Sequence, residues 1–174
     1  MIFKMKMKVR LCLLLQLFVF TFVICGTASA QTGLEILTGD ALKKIVPGSF
    51  YFAGQSGETQ IRNSAAARIG ENRFIIAGLV DTSGYSTEIS GIYEGFFITD
   101  SPIRFGSKTL KTGAYGIGFA KDAVNIFDLS SKQILSVKAS NDAELKRPRP
   151  LMMTIDGNSV RLYKGRTYIL ISGK

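Results

Sequence analysis

The chain has 174 residues, with 22 Lys+Arg against 13 Asp+Glu, no histidine, no tryptophan and two cysteines. Without histidine there is no Ser–His–Asp or Cys–His nucleophile and no histidine metal ligand. The length suits one domain with a core that needs no covalent staples.

The first 30 residues read as an export signal. Lys4, Lys6, Lys8 and Arg10 precede an apolar run, Leu11 to Ile24, broken only by Gln16 and Thr21. Ala28-Ser29-Ala30 then sets small residues at −3 and −1 before Gln31, the order a signal peptidase reads. The run is shorter than the roughly 20 residues of a spanning helix. Cys25 follows Ile24, where a lipid-modified cysteine wants a small residue. The expectation is a cleaved signal peptide over 1–30, with no transmembrane span left afterwards. Four of the 22 Lys+Arg lie in it, which leaves 18 against 13 Asp+Glu. Both cysteines leave with it, so the mature chain has no thiol, no disulfide and no cysteine zinc site. An exported, disulfide-free domain of this size points to a bacterial periplasm or cell exterior.

Residues 31–48 form an N-terminal segment with one short helix. Leu37, Ala41, Leu42 and Ile45 recur at helical spacing, and Thr38 stands where it can cap. Leu37 can staple onto Leu42, and Pro47-Gly48 ends the run. The spacing predicts a helix over Thr38–Val46, too short to be stable unless it packs on the rest.

Residues 49–174 read as an antiparallel β domain. Apolar runs over Ser49–Ala53, Thr59–Ile69, Arg73–Asp81, Tyr93–Thr99, Gly113–Ala120, Val124–Leu129, Gln133–Ala139, Leu151–Ile155, Val160–Tyr163 and Thr167–Ile171 are separated by turns, most of which carry glycine, and Ser130-Ser131-Lys132 joins two of the runs. Short loops make consecutive strands antiparallel neighbours. The expected fold class is mainly β: a small antiparallel up-and-down β-barrel or a two-sheet sandwich, of roughly 8–10 strands, with one short N-terminal helix. Phe74, Ile75, Ile76 and Leu79 make one strand apolar on both faces, so it should be covered on both sides. Gly113–Ala120 alternates cleanly. Tyr115, Ile117 and Phe119 point to the core, and Ala114, Gly116, Gly118 and Ala120 form a small face approached by another backbone or a ligand. A turn at Lys164-Gly165 would set Tyr163 opposite Arg166, Leu162 opposite Thr167 and Arg161 opposite Tyr168. Most runs are shorter than the roughly 9–11 residues of a membrane strand, which argues against a membrane barrel.

The sequence contains no recognisable enzyme motif. Asp156-Gly157-Asn158 reads as a hairpin turn rather than a calcium loop. Gly54-Gln55-Ser56-Gly57 lacks the nucleophile-elbow spacing, and Gly116-Ile117-Gly118 lies inside a strand. No catalytic residue, cofactor or metal is predicted. Two carboxylates among Asp81, Glu88, Glu94 and Asp100 could still serve a carboxylate-dependent hydrolase.

Two features point to binding. In Asp81-Thr82-Ser83-Gly84-Tyr85, Asp81 and Ser83 can bond backbone amides. Gly84 supplies a positive φ and Tyr85 presents an aromatic face, as in a mouth loop for a sugar, a lipid headgroup or a protein. In Lys146-Arg147-Pro148-Arg149-Pro150 the prolines hold an extended arm from which Arg147 and Arg149 can bind phosphate or carboxylate. Asp81, Ser83, Tyr85, Arg147 and Arg149 are the candidate ligand-binding residues. Arg62 and Arg68 share a strand face and read as outward-facing surface. The leading function is an exported, non-catalytic binding module for a small amphiphile, an anionic glycan or a lipid headgroup. The rivals are a structural or protein-interaction domain of the bacterial envelope and the hydrolase. Expected partners are anionic lipid, polysaccharide or an envelope protein. Nucleic acid is a poor target for an exported protein.

Overall fold

A computed structural model describes residues 33–173. The expected export segment over 1–30, with Cys12 and Cys25, lies outside the described residues. The chain after it forms two antiparallel sheets. The first runs in the order β1 (Leu34–Leu37), β3 (Gln55–Gly70), β4 (Arg73–Val80), β5 (Gly95–Thr99), β8 (Gly113–Phe119), β9 (Ala123–Phe127) and β10 (Gln133–Lys138), and β2 (Ser49–Phe52) pairs with the start of β3. The second runs β12 (Arg149–Asp156), β13 (Ser159–Gly165), β14 (Thr167–Gly173), β6 (Ile103–Phe105) and β7 (Lys108–Leu110), and β11 (Ser140–Asn141) adds to β14.

Of the two expected architectures, the two-sheet sandwich fits and the barrel does not. Neither sheet closes, since β1 and β10 end one and β12 and β7 end the other. The hairpin β6–β7 causes the split. It leaves the first sheet between β5 and β8, which pair directly, and gives β14 a neighbour. The four strands that the sequence pattern leaves unassigned are β1, β6, β7 and β11, each four residues or fewer. Runs that short carry too little alternation to be read.

The first sheet is buried on both faces. Ala65, Ala67, Ile75, Ala77, Phe97, Ile117 and Ile126 meet Leu151, Leu162, Ile169 and Ile171 of the second sheet. The opposite face carries Ala66, Ile76, Phe96 and Phe127, which pack with Phe50 and Phe52 of β2 and with Tyr85 and Tyr93. This accounts for the doubly apolar Phe74–Val80 strand. It also accounts for the small face of β8. A side chain at Gly116 would collide with the Phe52 ring, and one at Gly118 with the Ile92 carbonyl oxygen. Phe52 in turn stacks on Tyr93 at 4.0 Å between ring centroids. On the other face Ile117 is buried, whereas Tyr115 and Phe119 are half-buried at its margins.

Helix α1 spans Gly39–Ile45. Leu37 is buried and Leu42 packs on the same cluster, as the staple requires. Thr38 stands at the N-cap but its side chain makes no capping bond. Val46 is extended because Pro47 excludes the helical region for the residue before it. A second helix, α2 (Thr87–Ser90), interrupts the long loop before β5, its cap the Ser86 hydroxyl accepting from the Ile89 amide at 3.4 Å.

The last hairpin turns one residue later than the sequence suggests. Lys164 pairs with Thr167 and Tyr163 with Tyr168, so Gly165 and Arg166 make the turn. Gly165 has φ +62°, the left-handed conformation a two-residue hairpin needs at its first position. Arg161 therefore faces Leu170 in register. It still covers the Tyr168 ring, diagonally, at 4.8 Å to the centroid.

Candidate ligand-binding site

Two strands lose register beside α1. In β3, Thr59 lies opposite Val80 and Ser64 opposite Gly78, so Gln60–Asn63 stand against Leu79 alone. The bulge is held from inside: Gln60 Nε2 donates to the Val80 carbonyl at 3.2 Å, Ser64 Oγ to the Gln60 carbonyl at 3.2 Å and Asn63 Nδ2 to Gln60 Oε1 at 2.7 Å. In β12, Arg149 lies opposite Gly165 and Met152 opposite Tyr163, so Pro150 and Leu151 share Lys164 as their opposite number. Pro150 has no N–H to give the ladder, which favours a bulge there.

β12 packs across β3 and β1, and the two bulges face a groove between these strands and α1. Its volume is about 470 Å³. Leu37, Leu42, Ile61, Leu151 and Met152 supply apolar walls, and Lys43, Arg62 and Arg149 supply three cations. Lys43 faces Asp40 at 3.2 Å. Arg62 and Arg149 make no ion pair or side-chain hydrogen bond among the described residues. Both are exposed.

The five sequence-derived candidates do not gather in one place. Arg149 lines the groove. Arg147 lies exposed on the connector from β11 to β12. That connector is tied down at its root. Arg166 Nη1 donates to the carbonyls of Ala143 at 2.8 Å and Leu145 at 2.6 Å, and the buried Tyr163 hydroxyl donates to Asp142 at 2.9 Å. Asp81 accepts from the Ser83 amide at 2.9 Å, and this bond lowers its carboxyl below the ordinary value. That turn does not line the groove.

Tyr85 corrects the sequence reading most directly. Its ring is 8% exposed and does not present a face to solvent. It lies edge-on to Tyr93 at 5.3 Å and donates its hydroxyl to the Gln55 carbonyl at 3.1 Å. The apolar surface beneath the loop draws the ring inward. Gly84 is not among the residues with positive φ.

Among the remaining charged candidates, Asp100, Glu94 and Arg68 are engaged. Asp100 accepts from the Phe74 amide at 2.7 Å, and Glu94 accepts from the Phe119 amide at 3.1 Å and pairs with Lys164. Glu88 is exposed on α2. Arg68 and Arg62 both point outward, Arg68 to Glu35 at 3.4 Å. Sequence reasoning treated Arg62 as surface and missed Lys43. No clear signal was available in the chain: Gln60–Asn63 is no more polar than the Gln55–Thr59 stretch before it.

No protein family, curated protein or solved structure matches the chain.

Proposed function

We propose that this protein is an exported, non-catalytic binding module for a small anionic amphiphile, held in the groove between α1, β3 and β12. One observation carries the reading: a groove with apolar walls also holds two arginines, Arg62 and Arg149, that have no partner among the described residues. Apolar walls with a few convergent polar groups are the usual make-up of a small-ligand site. Guanidiniums pair with carboxylate or phosphate through two parallel hydrogen bonds. The bulges that aim them are features found at strand edges and functional sites. Export is supported by the basic, apolar, Ala-x-Ala order of residues 4–30. The mass of protein recovered from the envelope should begin at Gln31, and a mature mass that includes Met1 to Ala30 would refute export.

Binding is tested by calorimetric titration with decanoate and with a neutral decyl maltoside. Decanoate should bind, more weakly as salt rises. Leu42→Asp and a double Arg62→Gln, Arg149→Gln variant should each cost about tenfold or more. Equal affinity for the neutral compound, or a double variant that binds decanoate as the parent does, would refute the assignment.

A further inference from the structure

Resting on that reading, we infer that the groove selects a single-chain lipid whose head is a phosphate monoester, carrying two negative charges, over one carrying a single charge. The charge inventory at the groove gives the reason. Lys43 faces Asp40 at 3.2 Å, so that pair adds little net charge. Arg62 and Arg149 keep theirs. A head with one charge pairs fully with one guanidinium and leaves the other to water. A dianion satisfies both, and a phosphate offers three terminal oxygens to two planar forks.

The arginines come from two different strands, and their backbones are held in place. Arg62 sits in a bulge fixed by Gln60 and Ser64, and Arg149 sits between Pro148 and Pro150. The backbone is thus set before binding, and the ordering cost falls on the two exposed side chains. The volume, about 470 Å³, lies toward the small end of the roughly 300–1,000 Å³ of ligand pockets, which suits one short alkyl chain.

A phosphate monoester takes its second charge near pH 6. The chain has no histidine, the side chain that ordinarily titrates between pH 5 and 8. The charged groups at the groove are Asp40 and Lys43 on α1, Arg62 on β3 and Arg149 on β12. A change in affinity across that range therefore belongs to the ligand.

The test compares decyl phosphate with decyl sulfate, both below micelle formation, by calorimetry on the protein as purified. The two share chain and tetrahedral head, but the sulfate stays singly charged. Near pH 8 decyl phosphate should bind about tenfold tighter or more, and near pH 5 the two should agree within about threefold. Arg62→Gln and Arg149→Gln should each remove the advantage near pH 8 while decyl sulfate keeps its affinity within about threefold. Arg104→Gln, an exposed arginine outside the groove, should change neither. Inorganic phosphate should bind at least about tenfold more weakly than decyl phosphate. If it binds as well, the site takes free phosphate and the lipid assignment falls. Equal affinity for the two decyl anions near pH 8 overturns the two-charge inference and leaves the broader reading standing. Failure of decyl phosphate, decyl sulfate and decanoate alike overturns both.

Discussion

Gly118 sits inside a strand, where glycine ordinarily weakens the sheet and larger residues would add packing. Here the space is taken by the carbonyl oxygen of Ile92, and the carbonyl carbon is only 2.9 Å from where a methyl would stand. Backbone cannot swing aside as a side chain can. Gly118→Ala should therefore cost about 1–3 kcal/mol by urea denaturation, the usual range for overpacking. Gly48→Ala, with nothing within 4 Å, serves as the neutral control. The two tyrosines over this face differ in a way mutation can separate. Tyr85 donates its hydroxyl to Gln55, whereas the buried Tyr93 hydroxyl has only the Tyr85 hydroxyl near it and makes no well-aligned hydrogen bond among the described residues. Burial pushes the Tyr93 hydroxyl well above its ordinary pKa, so it stays neutral while folded. Tyr85→Phe should destabilise by about 0.5–1.5 kcal/mol. Tyr93→Phe removes an unsatisfied polar atom and should be neutral or stabilising by on the order of 1 kcal/mol. A large loss at Tyr93→Phe would show that the hydroxyl has a partner.

Between β9 and β10 a single carboxylate organises the turn. Asp128 Oδ1 accepts from Ser130 Oγ at 2.6 Å, the Ser130 amide at 2.9 Å and the Lys132 amide at 3.0 Å. The Ser130 hydroxyl leads in holding the Asp128 carboxyl below its ordinary 3.8. A depressed carboxyl pKa stabilises the fold above the unfolded value, and that contribution is lost as pH falls through the folded one. The difference in stability between parent and Asp128→Asn should thus be constant above about pH 5 and shrink below 3.8. A difference that grows on acidification would show the sign to be wrong. This turn is legible in the sequence, as is every strand whose apolar run reaches five residues. The groove was less so. Its bulges depend on which strand lies opposite, and no alternation pattern encodes that. Arg149 was singled out because its flanking prolines are visible in the chain itself. Arg62 acquires its role only when Leu79 proves too short a partner for Gln60–Asn63. Tyr85 misled for the same reason: its burial depends on Gln55, distant in sequence, and on the fold of the loop that brings Tyr93 against it.

At the scale of the molecule, the first sheet serves two cores at once. Ile75 and Ile76 are neighbours in sequence and belong to different cores. Neither core can be dismantled without baring one face of the same strands, so the protein should unfold in one step. With no tryptophan in the chain, intrinsic fluorescence reports tyrosine, and Tyr85 and Tyr93 lie in the outer core. Urea midpoints from tyrosine emission and from far-ultraviolet circular dichroism should coincide. Because Tyr115, Tyr163 and Tyr168 also emit, midpoints that differ would mean that the protein opens in more than one step.

The connector between β11 and β12 brings a different consequence, for durability. Exposed basic loops invite cleavage by trypsin-like proteases. Such enzymes draw their substrate out as an extended strand and bond its backbone. Here Arg147 and Arg149 are each followed by a proline, which has no amide hydrogen to offer and a ring that obstructs the scissile bond. Of the basic residues in Lys146–Pro150, Lys146 alone is left with a cleavable bond, close to the carbonyls that Arg166 holds. The segment that exposes these arginines is in this way shielded from trypsin-like cleavage by the same residues that keep it extended.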